Sequence, residues 1–518
     1  MTAPELPAGW SAATLPDLVG NGGLLTDGDW VESKDQDESG AIRLTQLADV
    51  GDGWFRNRSQ RFLRPDQAER LGCTLLRPGD VLIARMPDPL GRACVFPGLT
   101  QPAVTVVDVC IVRLNPTDVS PTWLAWFINS PSFRIAVAAE QRGSTRKRIS
   151  KGSLSELPLP VPPTNEQERI ADAVDSYLSR LDAAVATLEA AQAKLKAYRA
   201  SVLKAAVEGR LVPTEAALAR AERREFEPAH VLLMRILSER RRRWEESELA
   251  KLKAAGKAPK DDNWKAKYEE PMPPDTKDLP ALPEGWCWAS VDQLAQIASG
   301  QTPNGIVDDC TPAGEIAWFR VGDMNTPGNE MLMVIGSTFV SAEQASVMGL
   351  HIRPPGTIIF PKRGGAIATN KKRRLSRPSA YDLNTMGLVP GDAIDAYIWT
   401  WFQGVDLGAL SDGSNVPQIN HGDIAQLLIP VPPAMEQSRI CEAVERLLSA
   451  SGALVAQVAG DKRRCLRLRQ AVLKWAFEGK LVDQDPNDEP AEKLLERIRA
   501  ERANAETPKK TRRAGKAA

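Results

Sequence analysis

The sequence repeats itself once, and this duplication constrains the fold more than any other feature. The segment LPLPVPPTNEQERI at 157–170 returns as LLIPVPPAMEQSRI at 427–440, and SVLKAAVEGRLV at 201–212 returns as AVLKWAFEGKLV at 471–482. A solenoid repeat would recur every 20–50 residues or so, which is far shorter than this spacing. The pattern therefore predicts two copies of a domain followed by a helix, related by a pseudo-two-fold axis.

Each copy opens with the same short phrase, LPxGW, at 6–10 and 282–286. A chain of 518 residues is too long for one hydrophobic core. We expect four consecutive regions: a first globule at 1–157, a first helical region with a connector at 158–281, a second globule at 282–427, and a second helical region with a disordered basic tail at 428–518.

The globules have short apolar runs separated by turn residues, which is typical of strands. The runs at 80–84, 104–112 and 356–360 are examples, whereas 123–129 and 394–403 resemble short helices. Each globule is therefore predicted to be a mixed α/β domain, and the whole chain to be α+β.

A long helix is predicted over residues 165–208, with apolar residues alternating in steps of four and three. Thr164 and Gln167 suggest a capping box at its start, and Gly209 suggests its end. This spacing is that of a coiled-coil seam. The predicted seam consists of Ile170, Val174, Tyr177, Leu181, Ala184, Leu188, Ala191, Leu195, Tyr198, Val202 and Ala205.

The second copy keeps this register but is weaker, because Ser451 and Asp461 fall on its seam. The two apolar stripes are most simply buried against each other. Two-fold symmetry favours an antiparallel coiled coil with the globules at opposite ends. A parallel arrangement stays open, because the connection at 214–281 is long enough to run back.

Composition narrows the class of protein. Hydrophobic residues make up 43% and charged residues 25%, which is ordinary for a soluble domain, and no apolar run is long enough to span a membrane. The start of the chain does not resemble a signal peptide. Seven cysteines without a CxxC pair indicate free thiols. We therefore expect a cytoplasmic protein without membrane contact.

The net charge is zero, so any nucleic-acid contact must come from local patches. Between Glu343 and Asp382 there are basic residues but no acidic ones. This run favours DNA binding over the alternatives of a solvated loop or a protein-binding surface. The candidates chosen here are Lys362, Arg363, Lys371, Lys372, Arg373 and Arg374.

In the first half the basic residues are more scattered. Some lie beside Trp54, some flank a Pro/Gly loop after the strand at 80–84, and some adjoin the start of the long helix. For any single residue of the first two groups, an ordinary surface arginine is an equally good interpretation. For the third group, the alternative is that the residues brace the globule against its helix. The DNA-binding candidates are Arg56, Arg58, Arg61, Arg85, Arg92, Arg146, Lys147 and Arg148.

Catalytic motifs are absent from the sequence. There is no GxGxxG, no GxxxxGK[ST] and no HExxH, and the three histidines lie far apart. We expect no catalytic residue, no metal site and no cofactor site in this chain.

Two variable globules, each followed by a PPxxEQxxI helix that ends in EGxL, resemble the specificity subunit of type I restriction–modification systems. The phrases LPxGW, PGDVLIAR at 78–85 and the connector at 244–268 are also similar to that family. The resemblance covers essentially the whole chain.

The resemblance implies a non-catalytic subunit that recognises a bipartite sequence in double-stranded DNA, one half-site per globule. It implies that the helices set the spacer and bind two modification subunits, which methylate adenine with S-adenosylmethionine. Restriction subunits using ATP and magnesium would join them. Two alternatives stay open: a coiled-coil scaffold that binds only protein, and a recognition module for another modification or phage-defence enzyme.

Overall fold

The computed structural model forms two compact units, and neither is a consecutive segment of the chain. One comprises Met1–Ala190 with Val458–Ala518, and the other comprises Ala191–Gln457. Each unit thus contains one globule and part of each long helix. The structure describes residues 6–506 apart from 87–88, 144–146, 257–258, 260, 307–310 and 312, so Arg146 and the basic tail beyond 506 lie outside the described residues.

The first globule is built on two small sheets. Its strands are β1 (Ser11–Ala13), β2 (Leu24–Asp27), β3 (Ile42–Thr45), β4 (Arg61–Leu63), β5 (Val81–Ala84), β6 (Arg92–Val95), β7 (Ala103–Thr105), β8 (Val109–Arg113) and β9 (Leu159–Val161). Its helices are α1 (Leu15–Leu18), α2 (Pro65–Arg70), α3 (Pro121–Ile128), α4 (Pro131–Ala139) and α5 (Lys151–Glu156). The sheet orders are β2-β8-β5-β6 and β4-β3-β7, and β1 pairs separately with β9.

The helical connection between the globules begins with α6 (Thr164–Val207), followed by α7 (Glu215–Glu222) and α8 (Ala229–Ala254). Gly209, at φ +66°, adopts the left-handed conformation that ends α6, as predicted. The predicted capping box does not form, because Thr164 is the first helical residue and its hydroxyl donates to the Asp118 carbonyl at 3.0 Å. The Gln167 amide instead bonds Ser120 N–H and the Pro162 carbonyl, which fixes the helix to the globule.

The second globule repeats the topology of the first. Its strands are β10 (Cys287–Ser290), β11 (Ala295–Ser299), β12 (Ile316–Phe319), β13 (Leu332–Met333), β14 (Phe339–Val340), β15 (Ile358–Pro361), β16 (Arg373–Leu375), β17 (Ser379–Tyr381), β18 (Thr385–Pro390) and β19 (Leu428–Val431). Its helices are α9 (Val291–Leu294), α10 (Ala342–Val347), α11 (Asp395–Gln403) and α12 (His421–Ala425). The sheet orders are β11-β18-β15-β16-β13 and β14-β12-β17, with β10 paired to β19.

The mixed α/β prediction for both globules is confirmed, and β13 is an edge strand that the first globule's sheet does not match. One detail is wrong: the apolar run at 104–112 forms two strands, β7 and β8, not one. Backbone hydrogen bonds from Val109 N–H to the Val106 carbonyl turn the chain between them.

The described part of the chain ends with a second long helix, α13 (Ala434–Phe477), and α14 (Ala491–Glu506). In the first unit, Asp182 of α6 pairs with Arg469 of α13 at 2.8 Å, and Glu189 pairs with Lys462 at 3.0 Å. The partner's number falls as the chain advances, so the two helices are antiparallel there, as predicted.

The second unit shows the same direction. Val202 and Ala206 near the end of α6 share a buried core with Val444 and Leu448 near the start of α13. The antiparallel interpretation is thus preferred over the parallel one in each unit separately. That the globules lie at opposite ends of the helices stays a prediction.

The predicted seam is wrong at some positions of α6. Tyr177 is 46% exposed, whereas the neighbouring Leu178 is buried, and Val185 is more buried than the exposed Ala184. The helix therefore takes a step of four from Val174 to Leu178, which rotates the apolar face by about one residue.

The motifs LPxGW and EQxxI recur in both copies for a structural reason. The Trp10 indole N–H of LPxGW donates to the buried Glu166 carboxylate of EQERI at 3.0 Å. Arg169 of the same motif pairs with Asp488 at 2.7 Å, and its counterpart Arg439 pairs with Glu215 at 2.6 Å. The repeated phrases therefore supply a contact between globule and helix in the first unit. In each unit they also tie one long helix to the segment that follows the other.

No helix within the described part of the chain combines the length and the apolar character that a membrane span needs.

Candidate nucleic-acid interfaces

In the first unit, the chain between β3 and β4 includes a loop at residues 50–60, which we call the first loop. Its shape is set by the fully buried Asp49, whose carboxylate accepts hydrogen bonds from the backbone N–H groups of Arg58 and Ser59. The Asp49 carbonyl also accepts from Arg56 N–H at 2.7 Å. A core residue therefore fixes the backbone of an exposed loop.

The first loop displays polar and aromatic side chains. Trp54 is half-exposed, and the Arg56 guanidinium lies 5.8 Å from its ring centroid. Asn57, at φ +49°, and Arg58 are exposed, and Arg43 donates to the Asn57 amide oxygen at 3.1 Å. Guanidinium and amide groups are those that read purine edges in the major groove.

The first loop is also held from the side of the helices. Arg469 of α13, which pairs with Asp182, lies 5.5 Å from the Trp54 ring centroid. Trp54, Trp126 and Arg469 line a cavity of about 400 Å³. The position of the loop therefore depends on the helix pair in this unit.

Three of the predicted residues meet at the first loop. Arg92 donates to the Leu47 carbonyl at 3.4 Å, at the base of the loop that carries Arg56 and Arg58. Arg61 is exposed on the adjoining strand and donates to the Gln36 amide oxygen at 2.7 Å.

Arg85 does not belong to this surface. Only 12% of its side chain is exposed, and its guanidinium bonds the Ile149 and Val107 carbonyls and pairs with Asp27 at 3.1 Å. The arginine therefore fixes the end of β5, and we exclude it from the DNA-contact set. Lys147 and Arg148 are exposed beside the buried Ile149.

In the second unit, residues 362–374 comprise the connection from β15 and the first two residues of β16, and we call this segment the basic hairpin. Arg363 is exposed, and its backbone pairs with Gln418. Lys362 is half-buried and donates to the Ser299 hydroxyl at 3.1 Å, and burial lowers the pKa of its ammonium group. These two residues lie at the start of the hairpin.

The end of the hairpin contacts a neighbouring loop. The half-buried Lys371 donates to the Asn325 amide oxygen, and Arg373 donates to the Met324 carbonyl at 3.2 Å. Both keep part of their surface open to solvent. The hairpin therefore presents Arg363 as an exposed cation, with Lys362, Lys371 and Arg373 partly accessible.

The side chains of Lys372 and Arg374 are held by contacts within the globule. Lys372 is 6% exposed and donates to the Val405 carbonyl and, at 2.9 Å, to the Asn370 amide oxygen. Arg374 pairs with Asp395 at 2.6 Å. We therefore exclude both from the contact set, since Lys372 is buried and the Arg374 guanidinium is held by a carboxylate at hydrogen-bond distance.

Sequence reasoning missed the loop at 326–338, which we call the second loop. It follows β12 and a 3₁₀ turn containing the buried Asp323, the same topological position as the first loop after Asp49. It has no cluster of cations in its sequence. The recurrence of an aspartate before a variable loop was the signal available.

Among the described residues, no group of three or more His, Cys, Asp or Glu side chains could hold a metal ion.

Comparison with known proteins relates the sequence of this chain to one family. Residues 102–196 match the family described as the type I restriction modification DNA specificity domain. The chain is 25% identical over 420 residues to the type I restriction enzyme EcoDI specificity subunit of Escherichia coli, covering 77% of this chain and 81% of that protein. It is also 25% identical over 436 residues to the EcoBI specificity subunit of Escherichia coli, covering 80% and 78%.

The fold is also similar to a solved structure described as "Structural basis underlying complex assembly and conformational transition of the type I R-M system". The TM-score is 0.64 at 17% identity, covering 92% of this chain and 100% of that chain. At this identity the likeness concerns the fold.

Proposed function

We infer that this chain is a specificity subunit of a type I restriction–modification system, and that it recognises DNA without catalysing a reaction on it. The observation that carries this inference is the duplicated α+β globule of this chain, which matches specificity subunits over about three quarters of its length. A buried aspartate holds a loop at the same place in each copy, through Arg58 and Ser59 N–H in the first and through the Ser337 hydroxyl in the second. Two similar surfaces suit a bipartite target, one half-site per globule.

In the first unit we propose that Arg56, Arg58, Arg61 and Arg92 contact DNA, together with Lys147 and Arg148. In the second unit we propose Lys362, Arg363, Lys371 and Arg373. Phosphate contacts from such cations position a protein on the duplex, whereas base edges supply sequence information. The exposed part of each loop is where that information would be read.

We propose two modification subunits and the restriction subunits as partners. Large apolar side chains exposed on the long helices support a protein-binding role, since Tyr177 and Trp475 in the first unit and Tyr198 and Leu454 in the second are each more than 40% exposed. The modification subunits would supply S-adenosylmethionine and the restriction subunits ATP and magnesium.

The test is reconstitution. The chain with its cognate modification subunits is expected to methylate adenine in a split site, and the chain alone with S-adenosylmethionine is expected to methylate nothing. Methylation by the chain alone would overturn the non-catalytic assignment. Binding of the complex without any sequence preference would favour the protein scaffold instead.

We also propose that the two long helices set the spacer length. Since they are antiparallel in each unit, an insertion in one alone would shift its register against the other. Four residues, about one turn or 6 Å, inserted near both Ala190 and Asp461 are expected to lengthen the preferred spacer. An unchanged spacer would contradict this role, and insertion at Ala190 alone is the control, expected to destabilise the pairing.

A further inference from the structure

The second loop is rigid, although it lies outside regular secondary structure for most of its length. The side chain of the fully buried Asn329 donates to the Asp323 and Ile335 carbonyls at 2.9 and 2.7 Å. Its oxygen accepts from Val334 and Ile335 N–H, both at 2.9 Å. One asparagine therefore closes the loop on itself.

This rigid loop exposes apolar side chains. Met331, Leu332, Val334 and Ile335 are 48%, 46%, 51% and 48% exposed, whereas Met333 between them is buried. A fixed backbone prevents the four from collapsing into the core. Clustered exposed apolar side chains of this kind mark a contact surface.

Cations surround this apolar surface. Lys371 and Arg373 bond Asn325 and Met324 just before the loop, and Arg377 donates to the Val334 carbonyl at 3.5 Å. Glu330 is the acidic side chain of the loop, and it accepts hydrogen bonds from Gly328 N–H. An apolar centre with a basic margin complements a duplex groove between its phosphates.

The two globules thus place loops of different chemistry at the same topological position. The first loop displays Arg58 and Asn57, which can form hydrogen bonds, whereas the second displays aliphatic groups. In the major groove, guanidinium and amide groups pair with purine edges, and an apolar side chain contacts the C5-methyl group of thymine.

We propose that the second loop enters the major groove and reads thymine methyl groups, so that the half-site bound by the second globule contains thymine at the contacted positions. This proposal rests on the DNA-recognition function proposed above and assigns a mode of reading to one globule. The first globule reads its half-site by hydrogen bonds.

The test replaces thymine by deoxyuridine, which removes only the methyl group. The complex of this chain with its modification subunits is titrated with duplexes of its own target that carry uracil in one half-site at a time. Affinity is expected to fall about fourfold for each contacted methyl removed, in one half-site only. The other half-site is expected to tolerate uracil.

Val334→Thr links the effect to the loop, because it keeps the shape of the side chain and replaces a methyl group by a hydroxyl. Its affinity is expected to fall for the thymine duplex and to be nearly the same for the uracil duplex, so the two changes are not additive. Val347→Thr is the matched control, as Val347 is 84% exposed on α10, outside the loop. It is expected to change neither affinity.

Two outcomes would overturn the proposal: affinity that is insensitive to uracil in both half-sites, or a uracil effect that is unchanged in Val334→Thr. In each case sequence-specific binding persists, and the proposed function stands. Loss of sequence-specific binding by the unmodified complex would overturn the proposed function and this inference together.

Discussion

Lys371 and Lys372 are neighbours in the sequence, and the structure predicts opposite behaviour for them. The side chain of Lys372 is buried, and its ammonium group lies 5.5 Å from the Phe402 ring centroid. Burial lowers the pKa of this group from an ordinary 10.5 to about 8. Lys371 is half-buried and faces Asn325, beside the second loop.

The lowered pKa sets a pH dependence for stability. Since the folded chain holds the Lys372 proton more weakly than the unfolded chain, the unfolded chain binds more protons between about pH 8 and 10.5, and stability rises with pH in that window. From about pH 7 to about pH 9.5 the free energy of unfolding is expected to gain about 2 kcal/mol from this group.

Lys372→Met removes the titrating group and should remove this gain. The measurement is urea unfolding of the wild type, Lys372→Met and the control Lys371→Met at both pH values. The difference between wild type and Lys372→Met is expected to change by about 2 kcal/mol with pH. Lys371→Met is expected to follow the wild type.

DNA binding by the same variants gives the second half of the test. Lys371→Met is expected to reduce the slope of log affinity against log salt by about 0.9, the value for one lost phosphate contact. Lys372→Met is expected to leave the slope unchanged. A reduced slope for Lys372→Met, together with a wild-type pH dependence of stability, would show that this lysine is exposed and refute the burial argument.

Two further predictions concern the first unit. Trp10→Phe removes the hydrogen bond to the buried Glu166 and is expected to cost about 1.5–3 kcal/mol in urea unfolding, whereas Trp30→Phe, at an exposed tryptophan that also faces a glutamate, should cost little. Arg58→Ala is expected to weaken binding of one half-site by about 1–3 kcal/mol in competition titrations, with the other half-site unchanged. Equal loss at both half-sites would remove Arg58 from the reading of bases.

The candidate site was only partly predictable from the sequence. The clusters around Arg56 and Lys371 were visible as runs of basic residues, and the structure brings Arg56, Arg58 and Arg92 together. Sequence could not show that Lys372 is buried beside its partly accessible neighbour Lys371. Exposure of adjacent residues in a short hairpin depends on what packs against it.

The second loop was missed for a different reason. Its apolar run, MLMVI at 331–335, has the composition of a buried strand, and β13 does form within it. Because β13 is an edge strand fixed by Asn329, its neighbours point to solvent. Periodicity alone does not distinguish a covered strand from an edge strand that is left uncovered.

The sequence by itself determined the duplication, the α+β globules, the length of the helices and the family resemblance, since repeated motifs, periodicity and Gly209 are local signals. Only the tertiary structure decided which cations are accessible, that Tyr177 lies off the seam, and that Trp10 meets Glu166. The reason is physical: burial and pairing of a side chain are properties of segments that meet in space, and the distance along the chain between such segments carries no local signal.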